Sequence, residues 1–332
     1  MAAKIGILGA GFIGRVHALN LRKDSRVELA GIADVVPEAA ARLAGEVGAR
    51  PFQSLAQLLD AGVRAIYVTT PNATHVEPVV MALGAGVHVF SEKPMATNLA
   101  GAGQIRDAAR KSKALCQIGF NRRFANVYKF AKRLIADGTV VPKVAHMKMN
   151  RGELKQPPWT SDTAVTGGFL YETPVHLFDM MRHLMGEVAE VTGWAVRSVY
   201  NEPDGFALLV RFRSGVIATF ATVAHTTWLF PFERVEIYGE HQAVVTEEME
   251  RAFFSSGIRA EVQAIDCAQM PFEEKWGYVE EDRLFIDAVL GERGPAVTAE
   301  DGYRATQLVE AVYRCVREGN PVTLPLKDPA PR

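Results

Sequence analysis

The chain has 332 residues, 48% of them hydrophobic and 23% charged, the balance of a soluble globular protein too long for one small module. With 37 basic against 38 acidic side chains its formal net charge is -1, which leaves no global field to gather phosphate backbones or anionic lipids. Nucleic acid and membrane surfaces are therefore poor candidate partners, and two domains are the expected organisation.

The first 120 or so residues alternate short β-branched runs with alanine-rich helical stretches, the rhythm of a parallel sheet covered on both faces. Strands are expected at Lys4 to Leu8, Val27 to Ala33, Ala65 to Thr69, Val87 to Ser91 and Leu115 to Gly119. Helices are expected at Ile13 to Leu21, Pro37 to Val47, Leu55 to Leu59, Ala73 to Leu83 and Leu99 to Lys111. Gly9, Ala10, Gly11, Phe12, Ile13 and Gly14 spell G-x-G-x-x-G between the first strand and the first helix, where a pyrophosphate can rest on backbone N–H groups. Gly9 permits the turn, Gly11 removes a side chain from the path of the phosphates, and Gly14 lets helix and sheet approach. Asp34 ends the next strand, 20 residues past Gly14, at the distance of an acid that accepts from the ribose hydroxyls. An aspartate there repels a 2'-phosphate, and Val35 and Val36 supply no arginine to neutralise one, so NAD is expected over NADP.

After Phe120 the texture changes. A helix is expected at Val127 to Ala136, then strands at Val144 to Met149, Val191 to Tyr200, Phe206 to Phe212, Val216 to Val223 and Arg234 to Tyr238, joined by tight turns that favour antiparallel hairpins. Among them lies an apolar helix, Pro174 to Met185, with Thr173 as N-cap, Pro174 at its first position and Gly186 closing it. Helices return at Arg283 to Leu290 and Tyr303 to Arg317, before a Pro-rich extended tail from Pro321. The fold class is thus α/β: a doubly wound Rossmann domain over residues 1–121, then an α/β domain over 122–332 with a large open, mainly antiparallel sheet. The carboxy-terminal helices have the option of packing back on the first domain.

Thr70-Pro71-Asn72-Ala73-Thr74-His75 and Ser91-Glu92-Lys93-Pro94 each close a predicted strand on the side where α/β sheets bind ligands. Together with the glycine motif, the Gly119-Phe120-Asn121-Arg122-Arg123-Phe124 run and the Gly167-Gly168-x-x-x-Glu172-x-x-x-His176 segment, they resemble the glucose-fructose oxidoreductase, inositol dehydrogenase and rhizopine-catabolism family, Gfo/Idh/MocA, in order and spacing. The resemblance implies a nicotinamide-dependent enzyme acting on a hydroxyl of a sugar, cyclitol or related polyol. It implies that Thr70, Pro71, Asn72 and His75 lie on the cofactor face, and that Glu92 and Lys93 line the junction of nicotinamide and substrate. Arg122 and Arg123 would stand at the pocket entrance, with Tyr171, Glu172 and His176 towards the substrate. Glu172 departs from the family's commoner aspartate.

His176 lies in the first turn of its helix, where the helix dipole disfavours an imidazolium and so favours the form that accepts a proton. Lys93, His176 and Glu172 are accordingly the candidate catalytic residues: His176 takes the hydroxyl proton, and Lys93 stabilises negative charge on oxygen. His176, Asp179 and His183 share a helix face and offer a rival metal cluster, but H-E-x-x-H is absent and no cysteine is near in sequence, so no metal is expected. Asp179 reads better as a partner of Arg182 or a neighbour, and His183 as a helix-end cap. Two other readings stay open: a dinucleotide sensor without chemistry, and a redox-neutral lyase or glycosidase that returns its hydride. Cys116, Cys267 and Cys315 are scattered and form no C-x-x-C pair, and the amino-terminal apolar run is broken by glycines, which together fit a cytoplasmic protein without a secretory signal. An apolar outer face on the second sheet would suit a homodimer or homotetramer.

Overall fold

A computed structural model describes residues 2–228 and 232–327. The chain divides into two compact units, residues 1–121 with 278–303, and residues 122–277 with 304–332.

The first unit carries six strands, β1 (Ala3–Leu8), β2 (Val27–Ala33), β3 (Arg50–Phe52), β4 (Ala65–Val68), β5 (His88–Glu92) and β6 (Cys116–Gly119), in the order β3-β2-β1-β4-β5-β6. All neighbours are parallel. Five helices connect them: α1 (Phe12–Arg22), α2 (Pro37–Val47), α3 (Leu55–Asp60), α4 (Val76–Gly84) and α5 (Leu99–Lys111). Side chains start the helices where they can: Ser54 accepts from the Gln57 amide, Asn98 from the Gly101 amide, and Pro37 stands at the start of α2. Every residue of β4 is buried, as a strand covered on both faces requires. Tyr67, Phe90 and Phe285 pack ring to ring at 4.6–5.6 Å in this core, Phe285 arriving from the helix Tyr278–Leu290. Strand order reverses between β1 and β4, so their carboxy ends open a crevice at the topological switch point.

The second unit begins with α6 (Asn126–Ala136) and β7 (Val144–Asn150), then three helices, α7 (Thr163–Thr166), α8 (Phe169–Glu172) and α9 (Val175–Met185). Seven strands follow: β8 (Val188–Val196), β9 (Gly205–Phe212), β10 (Ile217–Val223), β11 (Glu233–Gly239), β12 (Gln242–Glu247), β13 (Arg251–Ser256) and β14 (Gln263–Asp266). After α10 (Phe272–Lys275) come α11, the Tyr278–Leu290 helix of the first unit, then α12 (Ala299–Glu318) and β15 (Val322–Thr323). The nine strands run β14-β13-β12-β11-β7-β10-β9-β8-β15, and β7 with β10 is the parallel pair in an otherwise antiparallel sheet. One face is buried through residues such as Met147, Met149, Phe220 and Ile237, with the Phe178 ring of α9 tilted against Phe220 at 5.1 Å. On the other face Trp194, Leu209 and Ile217 are 75%, 54% and 52% exposed.

Two expectations are corrected. The strand expected to reach Tyr200 stops at Val196, because the buried Asp204 carboxylate accepts the amides of Ser198, Val199 and Tyr200 and bends them into a loop. The Pro-rich tail is extended, as expected, and pairs as β15 with β8 at Val322–Thr323; residues 328–332 lie outside the described ones. Thr173 does not cap α9: Pro174 occupies the cap position with no side-chain bond, and the Thr173 hydroxyl is engaged by Arg151 and Glu172.

Candidate active site

In the first unit the expected cofactor residues gather at the carboxy ends of β1, β2, β4 and β5. Gly9 turns with φ +107°, and a Cβ there would stand 2.6 Å from the Thr69 carbonyl oxygen. A Cβ on Gly14 would meet the Gly9 carbonyl oxygen at 2.1 Å, so α1 approaches the loop as only glycine permits. Thr69, which sequence reasoning overlooked, donates its hydroxyl to that same carbonyl at 2.8 Å and pins the turn. A Cβ on Gly11 would meet nothing within 4 Å, and no side chain caps α1. The positive end of the helix therefore opens onto unfilled space, where a pyrophosphate fits.

Asp34 is fixed rather than loose: one oxygen accepts the Ala10 amide at 2.7 Å, the other the Val36 amide at 2.8 Å. A carboxylate has about four lone-pair sites, so this leaves acceptors for two ribose hydroxyls. Phe12 and Val35 flank the loop, 73% and 91% exposed, an apolar surface suited to an adenine ring. Ile13 is half-buried beside Phe12. These residues fit a dinucleotide, and the carboxylate at the ribose end fits NAD.

Thr70 and Pro71 lead from β4 into the turn Asn72–Thr74, with Asn72 buried and Pro71 exposed. His75 is buried, with Nδ1 2.8 Å from the Pro94 carbonyl oxygen and Nε2 2.8 Å from that of Thr70. Burial pulls its pKa down, against the two carbonyls, which favour the protonated ring. Its place is a brace between the turns that follow β4 and β5. Glu92 is buried, Lys93 half-buried, and the Lys93–Pro94 bond is cis.

The second unit holds the other candidates. His176 is buried in the first turn of α9, its amide bonded to the Thr173 carbonyl. Glu172, one turn earlier, is ion-paired with Arg151 at 3.0 Å. Arg151, overlooked by sequence reasoning, is 2% exposed; it donates to the Thr173 hydroxyl at 2.9 Å and the Gly152 carbonyl at 3.0 Å, and lies 5.1 Å over the Phe169 ring. The one signal for it was a charged residue at the exit of β7, the place Lys93 has after β5. Thr173 accepts from Arg151 and donates to Glu172, closing a three-residue clamp at the α8–α9 junction.

Arg122, Arg123 and Tyr171 are all engaged internally. Arg122 pairs with the fully buried Glu233 at 2.8 Å and lies over Trp276. Arg123 makes a bidentate pair with Asp179 at 2.7 and 2.6 Å. Arg182, the expected partner, stands 3.8 Å from the same Asp179 carboxylate and also bonds Glu187. The Tyr171 hydroxyl donates to Glu310 at 2.6 Å, and its ring stacks on Tyr313. Among the described residues no cluster of histidine, cysteine and acids is placed to hold a metal ion.

Comparison with known proteins agrees with this geometry. Residues 3–120 match the Gfo/Idh/MocA oxidoreductase family, NAD-binding Rossmann fold, and residues 132–324 match the carboxy-terminal α/β domain of the same family. A myo-inositol 2-dehydrogenase of Thermotoga maritima is 28% identical, the match covering 97% of this chain and 98% of that protein. An inositol 2-dehydrogenase of Rhizobium meliloti is 26% identical over 98% of this chain and 100% of that protein. The solved structure of levoglucosan dehydrogenase with NADH and levoglucosan superimposes with a TM-score of 0.91 over 98% of this chain and 100% of its own, at 19% identity, a likeness of fold.

Proposed function

The chain belongs to the Gfo/Idh/MocA oxidoreductase family, and from that premise we propose that it is an NAD-dependent dehydrogenase acting on a hydroxyl of a sugar, cyclitol or related polyol. The observation that carries this reading is the convergence, at one sheet edge, of an open glycine cradle, a fixed ribose acid and the Glu92–Lys93 turn. Two inositol dehydrogenases similar along nearly their whole length favour a polyol substrate.

NAD, when bound, supplies the hydride acceptor. Lys93 donates to the reacting oxygen and stabilises the negative charge that develops there. His176 holds the proton released by the hydroxyl, and in the reductive direction returns it. Glu172, fixed by Arg151, accepts from a neighbouring substrate hydroxyl, while Arg122, Arg123 and Tyr171 shape the second unit through their internal pairs. The apolar outer face of the second sheet, with Trp194, Leu209 and Ile217, supports a homo-oligomer, dimer or tetramer; a solution mass of 36.3 kDa alone would refute that assembly. Three free, buried cysteines support a cytoplasmic setting.

The test is a panel of inositols, aldoses and their oxidised forms, assayed separately with NAD and NADP. NADH should form from at least one polyol, with kcat/KM higher for NAD. A protein that binds NAD yet reduces it with no member of the panel would contradict the reading and favour a sensor or redox-neutral chemistry.

A further inference from the structure

His17 stands on α1, three residues past Gly14, with its ring fully buried in the first unit. Nδ1 lies 2.6 Å from one oxygen of Asp282 on α11, and Nε2 3.2 Å from one oxygen of Glu92 at the end of β5. The second oxygen of Asp282 accepts from the Asn20 amide group at 2.9 Å, and the second oxygen of Glu92 accepts the Lys93 backbone N–H at 3.1 Å. Gly119 leaves the slot in which the Glu92 carboxylate lies: a Cβ there would be 3.0 Å from its oxygen. The rings of Tyr67, Phe90 and Tyr278 surround the imidazole at 4.9–5.9 Å and exclude water from it.

Burial alone pulls such a ring towards neutrality, but Asp282 and then Glu92 outweigh it and push the pKa up to about 10. A neutral imidazole has one N–H and can satisfy one acceptor; the protonated ring has two and satisfies both carboxylates. The chain thus continues without a gap from α11 through His17 and Glu92 to the main chain of Lys93.

We propose that His17 is a positioning residue for hydride transfer: it links Asp282 to Glu92, and the Glu92 carboxylate so fixed holds the Lys93 backbone in place beneath its side chain. This rests on the assignment of Lys93 to the reacting oxygen. A group held to about half an ångström loses effectiveness steeply when its support is removed, even when that support touches no substrate.

The test is His17→Gln beside the double variant His17→Gln/Asp282→Asn, which removes one carboxylate charge along with the imidazolium. In the protein alone, without cofactor, the single variant should exchange the Lys93 amide at least about tenfold faster while β1 and β4 amides keep their protection. Its kcat should fall about 10–100-fold with the NAD Kd within about threefold; the double variant, relieved of the stranded Asp282 charge, should regain stability but not kcat, because Glu92 still lacks its imidazole partner. Unchanged exchange at residues 91–97 with unchanged kcat would overturn the proposal. So would a kcat loss that merely follows loss of NAD binding and of protection throughout the unit. Should the single variant not fold, Asp282→Asn carries the test with the imidazole retained: faster exchange at Lys93 and lowered kcat are expected, and wild-type values of both would overturn it. If the wild type turns over no polyol, the enzymatic assignment fails, while the exchange measurement still decides whether His17 holds this turn.

Discussion

At the scale of single residues, the second unit depends on buried charges that are paired. Arg151 is 2% exposed and carries donors only, so its clamp on Glu172 and Thr173 holds the chain just before His176. Breaking a buried ion pair by removing one partner costs about 3–5 kcal/mol. Arg151→Met should therefore lower stability by about 3 kcal/mol in urea denaturation and reduce kcat more than it alters the NAD Kd. Adding Glu172→Gln should return part of that stability, since the stranded carboxylate is gone. Arg151→Met with wild-type stability and kcat would show that the clamp neither supports the fold nor positions the histidine.

At the scale of elements, the β1–α1 loop separates two uses of glycine. A Cβ at Gly14 collides with the Gly9 carbonyl, whereas one at Gly11 enters unfilled space. Gly14→Ala should lower both the Tm and NAD affinity; Gly11→Ala should leave the Tm nearly unchanged and weaken NAD binding at least about tenfold, because the methyl stands where the phosphates approach. Equal Tm losses in the two variants, or intact NAD binding in Gly11→Ala, would contradict the cradle. This loop was legible in the sequence because its signal is local: strand, glycines, helix and an acid at fixed spacing. The His17–Glu92–Asp282 chain was not, since its members are 75 and 265 residues apart and a histidine on an amphipathic helix looks like any core residue. Strands β12 to β14 escaped notice for a related reason: their alternation is blurred by half-exposed positions at the edge of the sheet. The parallel pairing of β7 with β10 follows from tertiary packing and leaves no mark in either strand. The N-cap expected of Thr173 failed because Arg151, distant in sequence, competes for the hydroxyl.

At the scale of the whole molecule, the candidate groups are divided between the two units. The first holds the cofactor cradle and Lys93, the second His176 with its Arg151–Glu172 clamp. No described helix is long and apolar enough to cross a membrane. The proposed reaction is hydride transfer from a carbinol carbon, with Lys93 stabilising the oxygen on that carbon. The most direct measurement follows deuterium from a carbon-deuterated polyol by mass spectrometry of the nicotinamide, in the wild type and in Lys93→Met. The wild type should yield NADH bearing the label, and Lys93→Met should bind NAD but form labelled NADH at least about 1000-fold more slowly. Reduced cofactor without label, or a Lys93→Met variant that transfers it at the wild-type rate, would contradict the account.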